Sequence, residues 1–235
     1  MRLLCTWIIG FLGLLTFSGS RAEPVPAEFR EALKSYQSEG TRGWAFTQST
    51  QGAGQSLVER FDPRLTEFHR WTLVEKDGRA PTPAETKTYN EQQTRRTRGE
   101  TAPNVKDQID EPTAERVSDD GTRATWRFRL KATDKDDRSA AHMTAAFTLH
   151  RPTSTIERME LSSFESFKPV MGIHIDEART VIEYSLPEGE RPTLLRTITV
   201  RLRGRAWWFK SLDQDLSVDY TGFEPARKKR DRSGD

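Results

Sequence analysis

The feature that most restricts the fold is the alternation of apolar and polar residues through the second half of the chain. In the segment Arg123–Lys131, Trp126, Phe128 and Leu130 alternate with charged residues. Because successive side chains of a strand point to opposite faces, this pattern predicts a β-strand with one buried and one hydrated face. Comparable segments, separated by turn residues, follow one another from Ala114 onward. The chain is therefore predicted to be rich in antiparallel strands.

One long strand is predicted at Val170–Leu186, and its apolar residues change phase partway along. The apolar positions are odd up to Ile175 and even from Ile182 onward. A change of one residue moves every later side chain to the other face of a strand. The sequence therefore predicts a β-bulge between Glu177 and Val181.

The last two strands allow a prediction of register. With a turn centred near Lys210, oppositely charged residues face each other on the outer side of the hairpin and apolar residues face each other on the inner side. The predicted pairs are Arg201 with Asp219, Arg205 with Asp215, Leu202 with Val218, and Val200 with Tyr220. The charged rows are interpreted as an ordinary hydrated face of the sheet.

The first half of the chain predicts two helices and three strands. One helix is predicted at Glu28–Ser38, where apolar residues form a single stripe. A second, polar helix is predicted to begin at Pro83, because Thr82 and Glu85 form a capping box around a proline at the first helical position. This helix has Tyr89 as its one large apolar residue, so we expect it to lie on the surface as a loosely held flap. The three strands are predicted at Trp44–Thr50, Ser56–Phe61 and Arg70–Glu75.

These elements predict an α+β, mostly β fold. Nine or ten one-sided antiparallel strands with two helices favour a single strongly curved sheet, a half-barrel, with both helices packed on or over its concave face. Residues 23–224 are predicted to form this one domain, and residues 225–235 a disordered basic tail. Gly99–Pro112 is rich in proline and acidic residues and is predicted to be a mobile connection.

The N-terminal residues predict export. Arg2 precedes an apolar run over Leu3–Phe17, and Ser20-Arg21-Ala22 fits the small-x-small rule for cleavage after Ala22. The run is shorter than the roughly 18 to 20 residues that span a bilayer, so the mature chain is predicted to have no transmembrane segment. Cleavage removes Cys5, the single cysteine, and with it any disulfide. A bacterial periplasmic location is predicted, without a lipid anchor.

The charge of the mature chain is balanced. The full chain has 37 Lys and Arg and 35 Asp and Glu, and the predicted signal contains two arginines and no acid, so the mature difference is 35 − 35 = 0. This balance argues against nucleic acid, or an anionic membrane surface, as the main partner.

No motif for catalysis, cofactor binding or metal binding is found, so the chain is predicted not to be an enzyme and to need no cofactor. His174 and Asp176 share one strand face and are two potential metal ligands, but no third ligand is spaced to join them. His142 and His150 are too far apart along their strand to bind one ion. No metal site is therefore predicted.

The aromatic residues carry the remaining functional signal. They are either plain core or the lining of a cavity wide enough for an acyl chain. The hydrophobic-ligand candidates are Trp44, Phe46, Trp71, Trp126 and Phe128. Three consecutive aromatic residues cannot all face the core of an alternating strand, so at least one is expected on the surface as a contact site for a partner or a membrane. The surface-contact candidates are Trp207, Trp208 and Phe209.

Several segments resemble a family of exported bacterial proteins of uncharacterised function. They are Trp44-Ala45-Phe46, Glu59–Pro63, Arg70–Leu73, Asp77-Gly78-Arg79 and Arg203–Asp213. The predicted order of elements, with paired helices after three strands, is similar to the lipoprotein-carrier fold of LolA, LolB and the N-terminal domain of RseB. The resemblance implies a half-barrel whose apolar interior holds lipid or acyl chains, or serves as a docking surface. The chain departs from LolB in lacking a lipid-anchored cysteine.

Three classes of function follow from these observations. The first is a periplasmic, non-enzymatic carrier or sensor that binds a lipid, or the acyl chain of a lipoprotein, inside the curved sheet. The second is an interaction module that binds another protein of the cell envelope and has no ligand cavity. An enzyme has the least support, because no nucleophile, base or metal is identified.

Overall fold

The computed structural model describes residues 24–36, 43–96, 105–132, 139–207 and 209–226. These residues contain two α-helices and eleven strands, and all the strands belong to one antiparallel sheet. The helices are α1 (Ala27–Ser35) and α2 (Pro83–Arg96). The strands are β1 (Trp44–Gly52), β2 (Gln55–Phe61), β3 (Trp71–Lys76), β4 (Ile109–Asp119), β5 (Arg123–Leu130), β6 (Met143–His150), β7 (Thr155–Ser163), β8 (Ile173–Ser185), β9 (Leu194–Ala206), β10 (Lys210–Ser211) and β11 (Gln214–Pro225).

The order of the strands is β3-β2-β1-β11-β9-β8-β7-β6-β5-β4, and β10 pairs only with β9. The sheet is open, with β3 and β4 at its edges. Neighbouring strands are consecutive along the chain except at two places: β1 pairs with β11, and β11 pairs with β9, with the short β10 between them in sequence. The C-terminal strand therefore joins the N-terminal three strands to the rest of the sheet.

Both helices lie on the same face of the sheet. The α2 helix contacts Glu59 of β2 through Tyr89, and α1 contacts Phe147 of β6 through Tyr36. Cross-strand pairs place Glu59 and Phe147 on one face. The connecting pairs are Glu59 with Gln48, Gln48 with Tyr220, Val218 with Ile198, Ile198 with Ile182, Ile182 with Met159, and Met159 with Phe147. The predicted mostly β fold, with one open antiparallel sheet and two helices, is thus confirmed.

Helix α1 packs over the β5–β8 part of the sheet through an apolar stripe. Phe29, Ala32 and Tyr36 are buried on this side of the helix segment. The Phe29 ring lies 6.1 Å from the rings of both Trp126 and Phe128, measured between centroids. The helix ends at Ser35, three residues before the predicted end. Burial of this stripe, rather than helix propensity, holds so short a helix in place.

Helix α2 begins as predicted. The Glu85 amide donates to the Thr82 hydroxyl at 3.3 Å, and the Thr82 amide donates to the Glu85 carboxylate at 2.8 Å, so the capping box is confirmed. Arg79 adds two hydrogen bonds to the same carboxylate. Tyr89 is buried against β2, as expected for the single large apolar residue of the helix.

The register predicted for the last hairpin is wrong by four residues. The observed pairs include Arg201 with Asp215 and Val200 with Leu216, and the turn is centred at position 208 instead of 210. Trp207 adopts φ 56° in this turn, which closes the hairpin earlier than the sequence suggests. A shift of four residues is even, so the predicted inner and outer faces of both strands are retained.

Two further boundaries differ from the predictions. The phase change in β8 is present, but the irregular pairing lies between Ile175 and Glu177, nearer the start of the strand than predicted. The segment predicted as a mobile connection contains the start of β4 at Ile109, including Pro112. A proline is compatible with β4 because this strand is at the edge of the sheet and its pairing is interrupted between Asp110 and Glu115.

Candidate functional site

Two of the five hydrophobic-ligand candidates lie in the filled core beneath α1. Trp126 and Phe128 are each 1% exposed and pack against Phe29 of the helix and Phe147 of the neighbouring strand. Their side chains touch other protein side chains on the face where a ligand was expected. These two residues therefore belong to the core, and burial of rings of this size is a main source of its stability.

Two other candidates belong to a second aromatic cluster, at the β1–β3 side of the sheet. The Phe46 ring lies 5.7 Å from Trp71 and 5.0 Å from Phe61, measured between centroids. Tyr220 and Phe223 of β11 complete the cluster at 5.5 Å and 5.8 Å from Phe46. Phe46 is buried, whereas the other four rings are half-buried. The cluster joins β1 to β11 across the connection described above.

The fifth candidate, Trp44, lines an open cleft of about 330 Å³ at the end of α1. Its lining also includes Tyr36 and Tyr184, whose hydroxyl groups are hydrogen-bonded at 2.7 Å. Burial raises the pKa of both tyrosines, so they remain neutral. The five aromatic candidates thus occupy three separate places, and the structure does not bring them together around one cavity.

The cleft that best matches a hydrophobic ligand lies on the other side of α1. This α1–β4 cleft has a volume of about 410 Å³ and runs between the helix and the first residues of the edge strand. Val25, Leu33, Ile109 and Phe128 form its apolar floor. A volume of this size is within the range of small-molecule sites in proteins. Phe128 is the one predicted ligand residue that contributes to it.

Five charged side chains surround the α1–β4 cleft, and three of them are basic. They are Arg30, Lys34, Lys106, Asp107 and Glu111, which gives a formal charge of 3 − 2 = +1. Arg30 donates to Glu111 at 2.7 Å, and Lys34 donates to Glu31 at 3.2 Å. Both pairs are exposed, and exposed ion pairs contribute little to stability. An incoming anion therefore competes for these cations at little cost.

Lys106 has a different position from the other two cations. Its ammonium group donates to the carbonyl oxygen of Tyr36 at 3.2 Å and, more distantly, to that of Lys34 at 3.4 Å. These carbonyl groups are at the C-terminal end of α1, where the helix dipole favours a positive charge. Lys106 thus connects α1 to the segment before β4 and forms one wall of the cleft. Lys106 was not among the predicted site residues, because it lies in the segment that was predicted to be a mobile connection.

A buried polar group lies beneath α2. The Glu59 side chain is on the helix-bearing face and only 3% of the residue is exposed. Its carboxylate accepts hydrogen bonds from Tyr89 at 2.7 Å, Gln48 at 3.0 Å and Gln93 at 3.4 Å. Burial, and the charge of Glu59, raise the pKa of Tyr220 to about 12. These contacts fasten a polar helix to the sheet.

The surface-contact candidates are exposed where the structure describes them. Trp207 is 60% and Phe209 is 80% exposed, at the turn between β9 and β10. Trp208 lies outside the described residues. Val170 and Met171, which precede β8, are exposed beside the same turn. An additional exposed apolar pair, Leu65 and Phe68, lies in the β2–β3 connection.

The histidines do not converge on one another. His174 and Asp176 interact directly at 2.9 Å, and Asp176 also accepts from Arg205 at 3.4 Å. His142 is paired with Glu165 at 2.9 Å. Within the part of the chain that the structure describes, no three residues of the types that bind metals are grouped to hold an ion. In the same part, no helix is long and apolar enough to cross a membrane.

Comparisons with known proteins return no relative of this chain. No family model matches the sequence, no curated protein matches it, and no solved structure is similar to the fold at a significant level. The resemblance to the lipoprotein-carrier fold therefore stays a prediction from the sequence.

Proposed function

We propose that this chain is a non-enzymatic periplasmic carrier or sensor that binds an amphipathic molecule with an apolar chain and an anionic head. The α1–β4 cleft is the binding site in this proposal. The observation that carries it is the combination of an apolar floor with a rim on which basic side chains exceed acidic ones. Floor and rim match the two ends of a fatty acid, a lysophospholipid or the acylated end of a lipoprotein.

The geometry of the cleft supports a ligand that lies beside α1 instead of one enclosed by the sheet. The space beneath α1 is occupied by Phe29, Trp126 and Phe128. An acyl chain placed along the cleft floor removes from water the apolar surface of Leu33, which is only partly buried, and such burial contributes about 25 cal/mol per Å². The proposal also includes the shape of the sheet, which we propose to be a strongly curved, LolA-like half-barrel with the helices on its concave face.

The proposal is tested by titrating the exported protein with dodecanoate and measuring binding by calorimetry. The Leu33→Gln variant places a polar group on the cleft floor and is expected to weaken binding by roughly tenfold or more, since full burial of a leucine contributes about 1.5–3 kcal/mol. Leu212→Gln is the matched control, because Leu212 is also a partly buried leucine packed on the core but does not line the cleft. Absence of binding to the wild-type protein, or equal binding by Leu33→Gln, would contradict the proposal.

Native mass spectrometry provides an independent measurement on the same protein. We expect lipid or fatty acid to copurify with protein extracted from a bacterial periplasm, and its amount to fall in the Leu33→Gln variant. A clean mass without added ligand, together with no uptake of dodecanoate, would exclude a carrier.

A second function is favoured by one specific observation. The core beneath α1 is filled, and several apolar side chains are exposed at the open end of the β8–β9 hairpin, where β8 begins and β9 ends. Both features suit an interaction module of the cell envelope that has no ligand cavity. Failure of both ligand experiments would make this the better proposal.

The proposed periplasmic location depends on residues outside the described part of the chain. Signal cleavage after Ala22 is expected to leave Glu23 as the first residue of the exported protein. N-terminal sequencing of protein recovered from the periplasm checks this. Recovery of an uncleaved chain in the membrane fraction would contradict it.

A further inference from the structure

Four exposed apolar side chains are grouped at one end of the sheet, where β8 begins and β9 ends. We name this group the apolar tip: Val170, Met171, Trp207 and Phe209. Their exposed fractions are 57%, 93%, 60% and 80%, respectively. Apolar side chains of this size are normally covered in a folded protein, and a contiguous exposed group marks a surface that contacts something else.

The two loops of the apolar tip are held together by backbone and side-chain contacts. The Trp207 amide donates to the Gly172 carbonyl at 2.5 Å, and Ala206 pairs with Ile173. A Cβ atom at Gly172 would lie 3.3 Å from the Trp207 indole, so this glycine lets the ring pack directly over the backbone. Trp207 and Gly172 both adopt positive φ, at 56° and 85°. A tryptophan rarely adopts a positive φ, and this backbone conformation at Trp207 determines the shape of the tip.

The apolar tip extends beyond the neighbouring strands. Pairing between β7 and β8 ends at Ser162 and Arg179, whereas β8 starts six residues earlier, at Ile173. At about 3.3 Å per residue, this portion of the hairpin is roughly 20 Å long. The base of this portion is held to the sheet by the Phe167–Ile175 bridge, by a hydrogen bond from the Ala178 amide to the Ser163 hydroxyl at 3.0 Å and by burial of Ile175, so only its end is uncovered. The tip is therefore a projection, not a groove that receives another side chain.

The charged groups beside the apolar tip are arranged with free cations and paired acids. Lys168 and Lys210 flank it in the two loops, are exposed, and make no ion pair with any residue that the structure describes. The acids of this region lie further from the tip along the chain: Glu165 contacts His142, Asp176 contacts His174, and Asp213 accepts from the Gly204 amide. The charged residues next to the tip in the sequence, Lys168, Arg205 and Lys210, are all basic, although the mature chain is balanced overall. Because salt screens charges that are more than about 8–10 Å apart, an approaching surface interacts mainly with the charges beside the tip.

We infer that the apolar tip is a peripheral docking site for an anionic lipid surface. Phe209 and Met171 enter the acyl boundary, Trp207 lies at the level of the headgroups, and Lys168 and Lys210 contact anionic headgroups. Tryptophan favours that level because its ring is amphipathic, and lysine side chains extend their ammonium groups to the same level. A lipid surface accommodates a projecting apolar tip without a preformed pocket, whereas a protein partner needs complementary shape. This contact is independent of the α1–β4 cleft.

The test measures cosedimentation of the exported protein with vesicles of phosphatidylcholine, with and without phosphatidylglycerol. The Met171→Ser/Phe209→Ser variant is expected to lower the partition coefficient by roughly tenfold or more. Replacing both flanking lysines, Lys168→Gln/Lys210→Gln, is expected to lower it by about fivefold per lysine on the anionic vesicles only. The control is Leu65→Ser/Phe68→Ser, which removes another exposed apolar pair, at 45% and 65%, from a different loop and leaves binding within about twofold.

All substituted side chains are exposed, so the variants are expected to fold, and near-ultraviolet circular dichroism checks this. Failure of the wild-type protein to bind anionic vesicles overturns the inference, as does equal loss in the tip variant and the control. Sedimentation velocity without lipid tests the alternative that the tip binds a second copy of the chain instead of a lipid surface. Self-association that the Met171→Ser/Phe209→Ser variant abolishes, without vesicle binding by the wild type, also overturns it.

Discussion

At the residue scale, Glu59 shows how a few polar contacts position a whole helix. No cation among the described residues pairs with this buried carboxylate, so hydrogen-bond donors must replace the water that it loses. Tyr89 and Gln93 of α2, together with Gln48 of β1, provide those donors. From the sequence, α2 is a loosely held polar flap. The buried Tyr89–Glu59 contact attaches it more firmly than its composition suggests.

We therefore predict that Tyr89→Phe destabilises the protein. The substitution keeps the ring but removes the shortest donor to Glu59, and leaving a buried acceptor without its partner costs about 1–3 kcal/mol. Urea unfolding measures the change in the free energy of unfolding. Tyr220→Phe is the control, since the structure gives the Tyr220 hydroxyl no hydrogen bond to a described residue, and a change below about 0.5 kcal/mol is expected. Equal effects of the two substitutions would contradict the role of Glu59.

A second residue-scale prediction concerns acid stability. Arg151 donates to Asp119 at 2.5 Å and 2.8 Å, and also to Glu28 at the start of α1. The hydrogen bonds from Arg151 lower the pKa of Asp119 to about 2, from the ordinary value of 3.8. A carboxylate whose pKa is lower in the folded state stabilises the fold above its unfolded pKa, and this contribution is lost as the pH falls through 3.8 towards 2.

We expect Asp119→Asn to reduce the dependence of the free energy of unfolding on pH between pH 3.8 and about 2. The measurement is urea unfolding at several pH values on the wild type and the variant. Arg151→Gln is expected to have a similar effect, because it removes the cation that lowers the pKa. An unchanged acid dependence in both variants would show that the pair has no influence on folding.

At the scale of elements, α1 is attached to the sheet mainly by its buried stripe. Its N-cap is Pro26, which provides no side-chain hydrogen bond, and the helix has nine residues. Isolated helices of this length are not stable in water. The contacts of Phe29 with Trp126 and Phe128 are therefore the main attachment of the helix.

We predict that Phe29→Ala lowers the free energy of unfolding by about 3–5 kcal/mol, as expected for a fully buried phenylalanine. Because α1 forms one side of the α1–β4 cleft, the same variant is expected to lose dodecanoate binding. Glu31→Ala, on the exposed side of the helix, serves as control with a change below about 0.5 kcal/mol. Hydrogen exchange of the α1 amides distinguishes local detachment from global unfolding.

At the scale of the whole molecule, β11 determines whether the sheet is one unit or two. The α1 core lies over β5–β8, while the Phe46 cluster lies at the β1–β3 side. The last strand pairs with both β1 and β9, and Val218 is buried within it. A continuous hydrogen-bonded sheet of this kind is expected to unfold as one cooperative unit.

The corresponding prediction is that Phe46→Ala accelerates hydrogen exchange in β5 and β6 as well as in β1. Loss of a buried phenylalanine costs about 3–5 kcal/mol, and in a two-state protein this reduction appears at every amide that exchanges by global unfolding. Faster exchange confined to β1–β3, with β5 and β6 unchanged, would show two separate units.

Local patterns in the sequence were sufficient for most of the individual elements. The alternation at Trp126, Phe128 and Leu130 predicted β5 and its buried face, and Thr82 with Glu85 predicted the start of α2. These predictions were correct because they depend on contacts within a few residues. Even the misplaced final hairpin kept its faces, because side-chain direction along a strand follows a period of two.

Only the tertiary structure decided which distant residues meet. It inserted β11 beside β1, filled the space over Trp126 with Phe29, and placed Lys106 at the end of α1. It also closed the β9–β10 turn at Trp207, which sets the register and the shape of the apolar tip. None of these follows from periodicity, since each depends on packing between segments far apart in the chain. The sequence determined the elements and their faces, whereas long-range packing decided where a cleft and an exposed tip remain.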